Sequence, residues 1–118
     1  MYKDPVIYLQ HILDSIKKIK EYTVDFNETR FVNDTLVQDA VIRNFEIIGE
    51  ATKKLDLAFR QKYSEIEWKK IAGMRDKLIH DYIGVDVWAV WAVIEDVLPE
   101  LETRIQIIIT DHLSQSPE

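Results

Sequence analysis

Apolar residues recur at helical spacing along most of the chain, and this pattern constrains the fold more than any other feature. Only three glycines and three prolines occur in 118 residues, so few positions can interrupt a helix. Asp4 is a suitable N-cap, and Pro5 suits the first helical position. We therefore predict a first helix from Asp4 to Tyr22. Its apolar stripe is formed by Leu9, Ile12, Leu13, Ile16 and Ile19.

A second long helix is predicted to begin at Asp34, which can act as its N-cap. The segment before it, residues 23–33, loses the helical period and is predicted to be a loop. Gly49 falls inside the second helix, where glycine is costly, so we interpret it as a point of close approach by another helix. The apolar positions of this helix are Leu36, Val37, Val41, Ile42, Phe45, Ile48, Leu55 and Phe59.

A shorter third helix and a long fourth helix complete the prediction. Ser64 and Glu67 match a capping box, which starts a third helix that ends before Gly84. Asp86 can cap the fourth helix, and Pro99 is expected to kink it. The predicted fold is all-α, a bundle of two long antiparallel helices, a short third and a long Pro-kinked fourth. Residues 1–111 form one domain, and residues 112–118 form a frayed tail.

The fourth helix is apolar on nearly every side over residues 87–94. Such a helix must be covered either by its own core or by another subunit, and the sequence leaves both open.

The composition excludes several classes of protein. There is no cysteine, so disulfides and thiolate metal sites are impossible, and a reducing, cytoplasmic location is expected. No signal-peptide pattern and no apolar run of transmembrane length occurs. The chain also lacks a P-loop, a Gly-rich dinucleotide loop and a His-Glu-x-x-His motif, so neither a cofactor nor a metal ion is expected.

The net charge of −6 argues against broad nucleic-acid binding, including DNA binding, but the charge is unevenly distributed. Residues 1–80 carry 14 Lys and Arg against 13 Asp and Glu, whereas residues 81–118 carry one Arg against eight acids. A polyanion is therefore expected near Lys69, Lys70, Arg75 and Lys77. The alternative is that this cluster is an ordinary solvated helix face.

One short segment combines the residue types needed to cleave RNA. It contains Arg75, Asp76, His80 and Tyr82. A histidine can transfer protons near neutral pH, an arginine can stabilise charge on phosphate, and the 2′-hydroxyl of RNA is an internal nucleophile. On one ideal helix, however, His80 would point roughly 140° away from Arg75. Convergence thus requires either a distorted helix end or residues from two subunits.

This string resembles the Arg-x4-His-x-Tyr motif of the HepT-like HEPN proteins. The flanking segments are similar to that family as well, across essentially the whole chain. They are residues 43–51 in the second helix, residues 68–74 before the motif, and Trp91 with residues 98–101 in the fourth helix.

The resemblance implies a homodimeric helical bundle that acts as a metal-independent endoribonuclease and as the toxin of a toxin–antitoxin pair. Arg75 and His80 would be the catalytic pair, with Asp76 and Tyr82 in support. The partner antitoxin would be an MntA-type nucleotidyltransferase that transfers AMP to Tyr82. A bulky anion beside Arg75 would compete with the RNA phosphate, which makes such inhibition reasonable.

Two questions stay open from sequence alone. Glu46 and Glu50 share one face of the second helix. They either line the cleft or form a salt bridge with Arg43 or a motif residue, or they belong to a solvated polar face. The same fold could also serve as a non-catalytic module that docks a nucleotidyltransferase, or as a purely structural dimer. The presence of Arg75, His80 and Tyr82 together favours the enzyme.

Overall fold

Three long helices form the centre of the protein. A computed structural model describes residues 4–80 and 84–115. The all-α fold expected from the sequence is confirmed, and the only strands among the described residues are two of two residues each. The elements are α1 (Pro5–Tyr22), α2 (Glu28–Val32), α3 (Thr35–Lys53), α4 (Leu57–Lys62), α5 (Trp68–Ala72), α6 (Met74–Leu78), β1 (Ile79–His80), β2 (Gly84–Val85), α7 (Val87–Asp96) and α8 (Leu98–Ser114).

The first helix has the predicted bounds and caps. The Asp4 side chain accepts a hydrogen bond from the Val6 amide at 2.9 Å, and Pro5 occupies the first turn. Helix α8 runs antiparallel to α1, because Lys20 pairs with Glu102 at 2.8 Å and His112 lies 3.7 Å from Asp4 at the other end. The side chains buried between the long helices include Leu9, Ile12, Ile16, Ile19, Val41, Phe45, Ile48, Leu98 and Ile105.

The predicted second helix is shorter than expected, and the predicted loop before it contains a helix. Asp34 caps α3 as expected, accepting from the Val37 amide at 3.0 Å, but α3 ends at Lys53 and a separate α4 follows. The prediction failed there because Asp56 caps α4, accepting from the Phe59 amide at 2.8 Å. Helix α2 was missed because five residues are too few to show a period.

The predicted third helix is divided. Gly73 ends α5 and α6 ends at Leu78, so the helix stops before the residue that was expected to end it. Ser64 does not act as the cap. Glu67 holds the N-cap position of α5 without a side-chain hydrogen bond, so the predicted capping box is wrong.

The fourth helix breaks rather than bends. Asp86 caps α7 as predicted, accepting from the Ala89 amide at 3.0 Å. The chain divides into α7 and α8 at Val97, two residues before Pro99, because proline lacks the amide needed to continue the ladder. Helix α8 continues to Ser114, so the first residues of the predicted tail are helical.

Contacts at the end of α8 explain its length. The His112 ring packs edge-on against Phe59, with centroids 5.7 Å apart. The Tyr63 hydroxyl donates a hydrogen bond to Asp111 Oδ2 at 2.7 Å, and burial together with this bond raises the pKa of Tyr63 to about 12. The C-terminal part of α8 is therefore packed against α4 and the turn that follows it.

Helix α7 is covered on one face only. Val90, Trp91 and Ile94 are buried, and the Trp91 ring lies 5.4 Å from that of Phe31 in α2. Trp88 is 59% exposed. The bundle's own core thus covers part of this apolar helix and leaves an apolar surface on its other side.

Candidate functional site

The structure separates the two predicted catalytic residues onto different elements. Arg75 lies in the short helix α6, and His80 lies in strand β1, beyond the end of that helix. The 140° separation expected on a continuous helix therefore does not apply. The backbone changes from helix to strand between the two residues, and whether Arg75 and His80 meet within one subunit or across two stays a prediction.

The segment after α6 turns back on itself. Strand β1 pairs antiparallel with β2, and this places Ile79 opposite Val85 and His80 opposite Gly84. Gly84 has no side chain, so nothing projects from the position directly across the ladder from His80. The sequence predicts Gly84 just beyond the end of the third helix, as a helix C-cap. It is instead the strand partner of His80.

The two other residues of the motif are Asp76 and Tyr82. Asp76 lies in the first turn of α6 and is exposed. Tyr82, the expected modification site, lies outside the described residues, in the connection between β1 and β2. Helix α7 begins two residues after β2, with its N-cap Asp86 between them. The described motif residues thus lie in α6 and β1, and the capped start of α7 follows the paired strand β2.

Gly49 brings α3 against the segment that leads into the motif. A Cβ atom at Gly49 would lie 3.3 Å from the carbonyl oxygen of Ala72, a backbone atom at the end of α5. The predicted close approach of another helix is therefore confirmed. Helix α3 packs on both α5 and α6, so the backbone of α6 rests on one of the long helices of the core.

Trp68 anchors the other end of the same segment. Its side chain is 5% exposed, and its indole N–H donates to the carbonyl oxygen of Tyr63 at 2.9 Å. A buried tryptophan with its polar atom satisfied fixes the start of α5.

A cleft with an accessible volume of about 890 Å³ lies beside α5 and α6. Three of the four cations at which the sequence predicted polyanion contact, Lys69, Lys70 and Lys77, line it. Arg60, which the sequence reasoning did not select, lines it as well. Arg60 lies far from the motif in the sequence, so no local pattern indicated that it belongs to this cleft. The packing of α4 beside α5 brings Arg60 to the cleft.

A family model described as Ribonuclease HepT-like matches residues 12–108. This chain belongs to the HepT-like ribonuclease family. The match spans all the elements from α1 to α8, including the motif segment.

Curated relatives of this HepT-like chain include proteins from archaea and bacteria. A protein of Methanocaldococcus jannaschii, named as a gamma-glutamylcyclotransferase and putative RNase, is 50% identical over 94% of the chain. The chain spans 50% of the length of that relative. A putative RNase of Caldanaerobacter subterraneus is 44% identical, with 91% of the chain and 96% of the relative covered. A probable ribonuclease HepT of Thermococcus cleftensis is 41% identical, with 84% and 90% covered. No solved structure gave a significant match.

A second cleft of this HepT-like protein lies between α1 and α3. Tyr8 and His11 of α1 face Arg43, Glu46 and Glu50 of α3 across it. Because the start of α1 meets the end of α3, the two helices are antiparallel, as predicted. Glu46 and Glu50 line this cleft between α1 and α3, and Glu50 is exposed, with its Oε1 atom 3.9 Å from Lys53 Nζ. That either residue lines a cleft at the motif stays a prediction. His11 is exposed and lies in the same cleft.

The part of the chain that the structure describes contains no group of three or more His, Asp or Glu side chains able to hold a metal ion. Within those same residues, no helix is both long enough and apolar enough to span a bilayer.

Proposed function

We propose that this HepT-like ribonuclease is a metal-independent endoribonuclease in which Arg75 and His80 carry the chemistry. The observation that supports it most directly is the end of helix α6 between them. Arg75 lies in α6, which ends at Leu78, and His80 lies in the adjoining strand β1, so the 140° separation of a continuous helix does not hold them apart.

The chemistry follows from these residue types. The 2′-hydroxyl of RNA attacks the adjacent phosphorus, and the bond from phosphorus to the 5′-oxygen breaks, which gives a 2′,3′-cyclic phosphate and a free 5′-hydroxyl. A neutral imidazole takes the proton from the 2′-hydroxyl, and an imidazolium returns a proton to the leaving 5′-oxygen. The guanidinium of Arg75 stabilises the charge that develops on the phosphate oxygens. None of these steps needs a metal ion.

A homodimer would supply a second copy of the motif, so that one His80 could act as the base and the other as the acid. The exposed side of α7, with Trp88 59% exposed, offers apolar surface that a second copy could cover. Sedimentation velocity on the purified protein measures whether the dimer forms.

The toxin role and its control are part of the same proposal. RNA cleavage by this chain would be neutralised by a cognate nucleotidyltransferase of the MntA type that transfers AMP to Tyr82. Tyr82 lies two residues beyond His80, so an added phosphate group would place negative charge close to the site that must bind the RNA phosphate.

Cleavage of RNA in EDTA by the purified protein tests the proposal. Wild type is expected to cleave, and His80→Ala is expected to lose at least about 100-fold in rate, the usual contribution of a general acid or base. His112→Gln is the matched control, because that histidine packs on Phe59 at the far end of α8. Tyr82→Phe should lose AMP acceptance, and its cleavage rate shows whether the hydroxyl also supports the chemistry.

Two results would contradict the proposal. Equal loss of cleavage in His80→Ala and His112→Gln would show that the assay follows folding or a contaminant. No cleavage by any variant, with Tyr82 unmodified by mass spectrometry, would favour the non-catalytic module that docks a nucleotidyltransferase.

A further inference from the structure

The cleft beside α5 and α6 concentrates positive charge in an acidic protein. The polar residues that line it, among those the structure describes, are Arg60, Gln61, Ser64, Lys69, Lys70, Lys77 and a single carboxylate, Glu67. The whole chain carries a net charge of −6. A cleft lined by one sign of charge in a protein of the opposite sign is a specific feature of the fold, because it attracts anions that the rest of the surface repels.

The lysines of the cleft are available to a ligand. Among the described residues, neither Lys69 nor Lys77 forms an ion pair, and both are exposed. Lys70 pairs with Glu67 at 2.8 Å, but both side chains are about 70% exposed. An exposed pair of this kind contributes little to stability, so an incoming anion can replace it.

The cleft leads towards the motif. Lys69 and Lys70 lie in α5, Gly73 lines the cleft where α5 ends, and Lys77 lies in α6. Arg75 belongs to that same five-residue helix, two residues before Lys77. A polyanion that follows the lysines from α5 therefore reaches the helix that carries the proposed catalytic arginine.

The lining also indicates which part of a nucleic acid it can hold. Within the described lining, Trp68 is the one aromatic residue, and it is buried with its indole N–H donating to the carbonyl oxygen of Tyr63. Proteins that bind single strands through their bases present exposed aromatic rings for stacking. This cleft presents cations and hydroxyl or amide groups instead, which suit phosphates.

We propose that this cleft is a track for the sugar-phosphate backbone of the RNA substrate and leads a strand to Arg75 and His80. The inference rests on the ribonuclease function proposed above. Phosphate contacts position a strand without reading its bases, so the track sets affinity and register, and the bases around the cut are selected elsewhere.

The test measures binding of a fluorescein-labelled 20-nucleotide single-stranded RNA by anisotropy, in the His80→Ala protein so that the probe stays intact. The double variant Lys69→Ala/Lys77→Ala is compared with Lys17→Ala/Lys18→Ala, which removes two exposed lysines from α1. Each lost phosphate contact lowers the slope of log K against log salt by roughly 0.7, so the cleft variant should lose about 1.4 from the slope. If the variant and the parent bind equally at 1 M salt, this change of slope corresponds to about a ten-fold loss of affinity at 0.15 M salt. The α1 variant should match the parent.

A second measurement separates the track from the chemistry. With His80 intact, Lys69→Ala/Lys77→Ala should raise KM for RNA cleavage and leave kcat within about two-fold, since the lost contacts are equal in ground and transition states. If no protein cleaves RNA but the cleft variant still loses affinity and slope, the track stands and the proposed enzyme function fails. If the cleft variant and the α1 variant bind RNA alike, the track is refuted, and an acidic protein surface becomes the better fit to the cleft.

Discussion

Gln38 is the polar side chain on which the junction between α2 and α3 depends, and replacing it by leucine tests how that junction is held. Its amide Nε2 donates to the carbonyl oxygens of Phe31 and Val32 at 2.8 and 3.0 Å, at the end of α2. The side chain is only 9% exposed. Helix α2 in turn packs Phe31 against Trp91 of α7, the helix that follows the motif hairpin.

The expected cost follows from these two bonds. The Phe31 carbonyl would keep a backbone hydrogen bond from Asp34 at 3.2 Å, whereas the Val32 carbonyl has no other partner among the described residues. The buried bond to Phe31 and the partly buried bond to Val32 contribute about 1 kcal/mol each, and the Val32 carbonyl left unpaired adds about 1 kcal/mol. The leucine recovers part of this by burying apolar surface, so Gln38→Leu should lower the free energy of unfolding by about 2 kcal/mol.

Urea unfolding followed by circular dichroism measures this loss, with an unchanged m value as the sign that both states are otherwise intact. Gln10→Leu is the matched control. Gln10 is exposed on α1 and bonds Asp14 at 2.9 Å, so its replacement should stay within about 0.5 kcal/mol. A loss for Gln38→Leu no greater than that of the control would refute the reasoning that buried carbonyls at the end of α2 require this amide.

Two further substitutions test the packing behind the site and the end of α8. Gly49→Ala adds a Cβ 3.3 Å from the Ala72 carbonyl oxygen, so α5 must shift by a few tenths of an ångström. The helix-propensity gain of about 1 kcal/mol offsets the cost of that shift, so the free energy of unfolding in urea should change little. Because α5 leads into α6, kcat for RNA cleavage should fall roughly three- to ten-fold. A large loss of stability with unchanged kcat would contradict this prediction. Tyr63→Phe removes the bond to Asp111 and should cost about 1 kcal/mol at pH 8. Burial and that bond raise the Tyr63 pKa from 10.0 to about 12, so wild-type stability should fall as the pH rises from 10 towards 12. The variant should lack this part of the fall, and parallel pH profiles of the two proteins would count against the assignment.

Local signals in the sequence were sufficient for much of the fold. Asp4, Asp34 and Asp86 each cap the helix that the sequence assigned to them, because an N-cap depends on one side chain and the amides two or three residues later. The apolar stripe of α1 became the buried face of that helix for the same reason, since helical spacing alone decides which residues share a side. The close approach at Gly49 was also predictable, because a glycine inside a strong helix usually marks a position where another backbone packs closely.

Local signals also misled where a short element interrupts a periodic pattern. The stripe from Trp68 to Ile79 suggested one helix, but Gly73 divides it and the chain pairs as β1 with β2 from Ile79 onward. A pairing of His80 with Gly84 cannot be inferred from helical periodicity, because it depends on two backbones meeting across a turn. The capping box at Ser64 failed for a related reason, since the position of the turn before α5 is set by Trp68 packing into the core.

The sequence by itself determined the helical class, the N-caps of α1, α3 and α7, the family resemblance and the identity of the proposed catalytic residues. All of these depend on residue type and on spacing within a few turns of helix. Only the tertiary structure decided that α6 ends between Arg75 and His80, and that Arg60 joins Lys69, Lys70 and Lys77 in one cleft. These features arise where separate elements pack against each other, and the free energy of such packing depends on contacts between residues far apart in the chain.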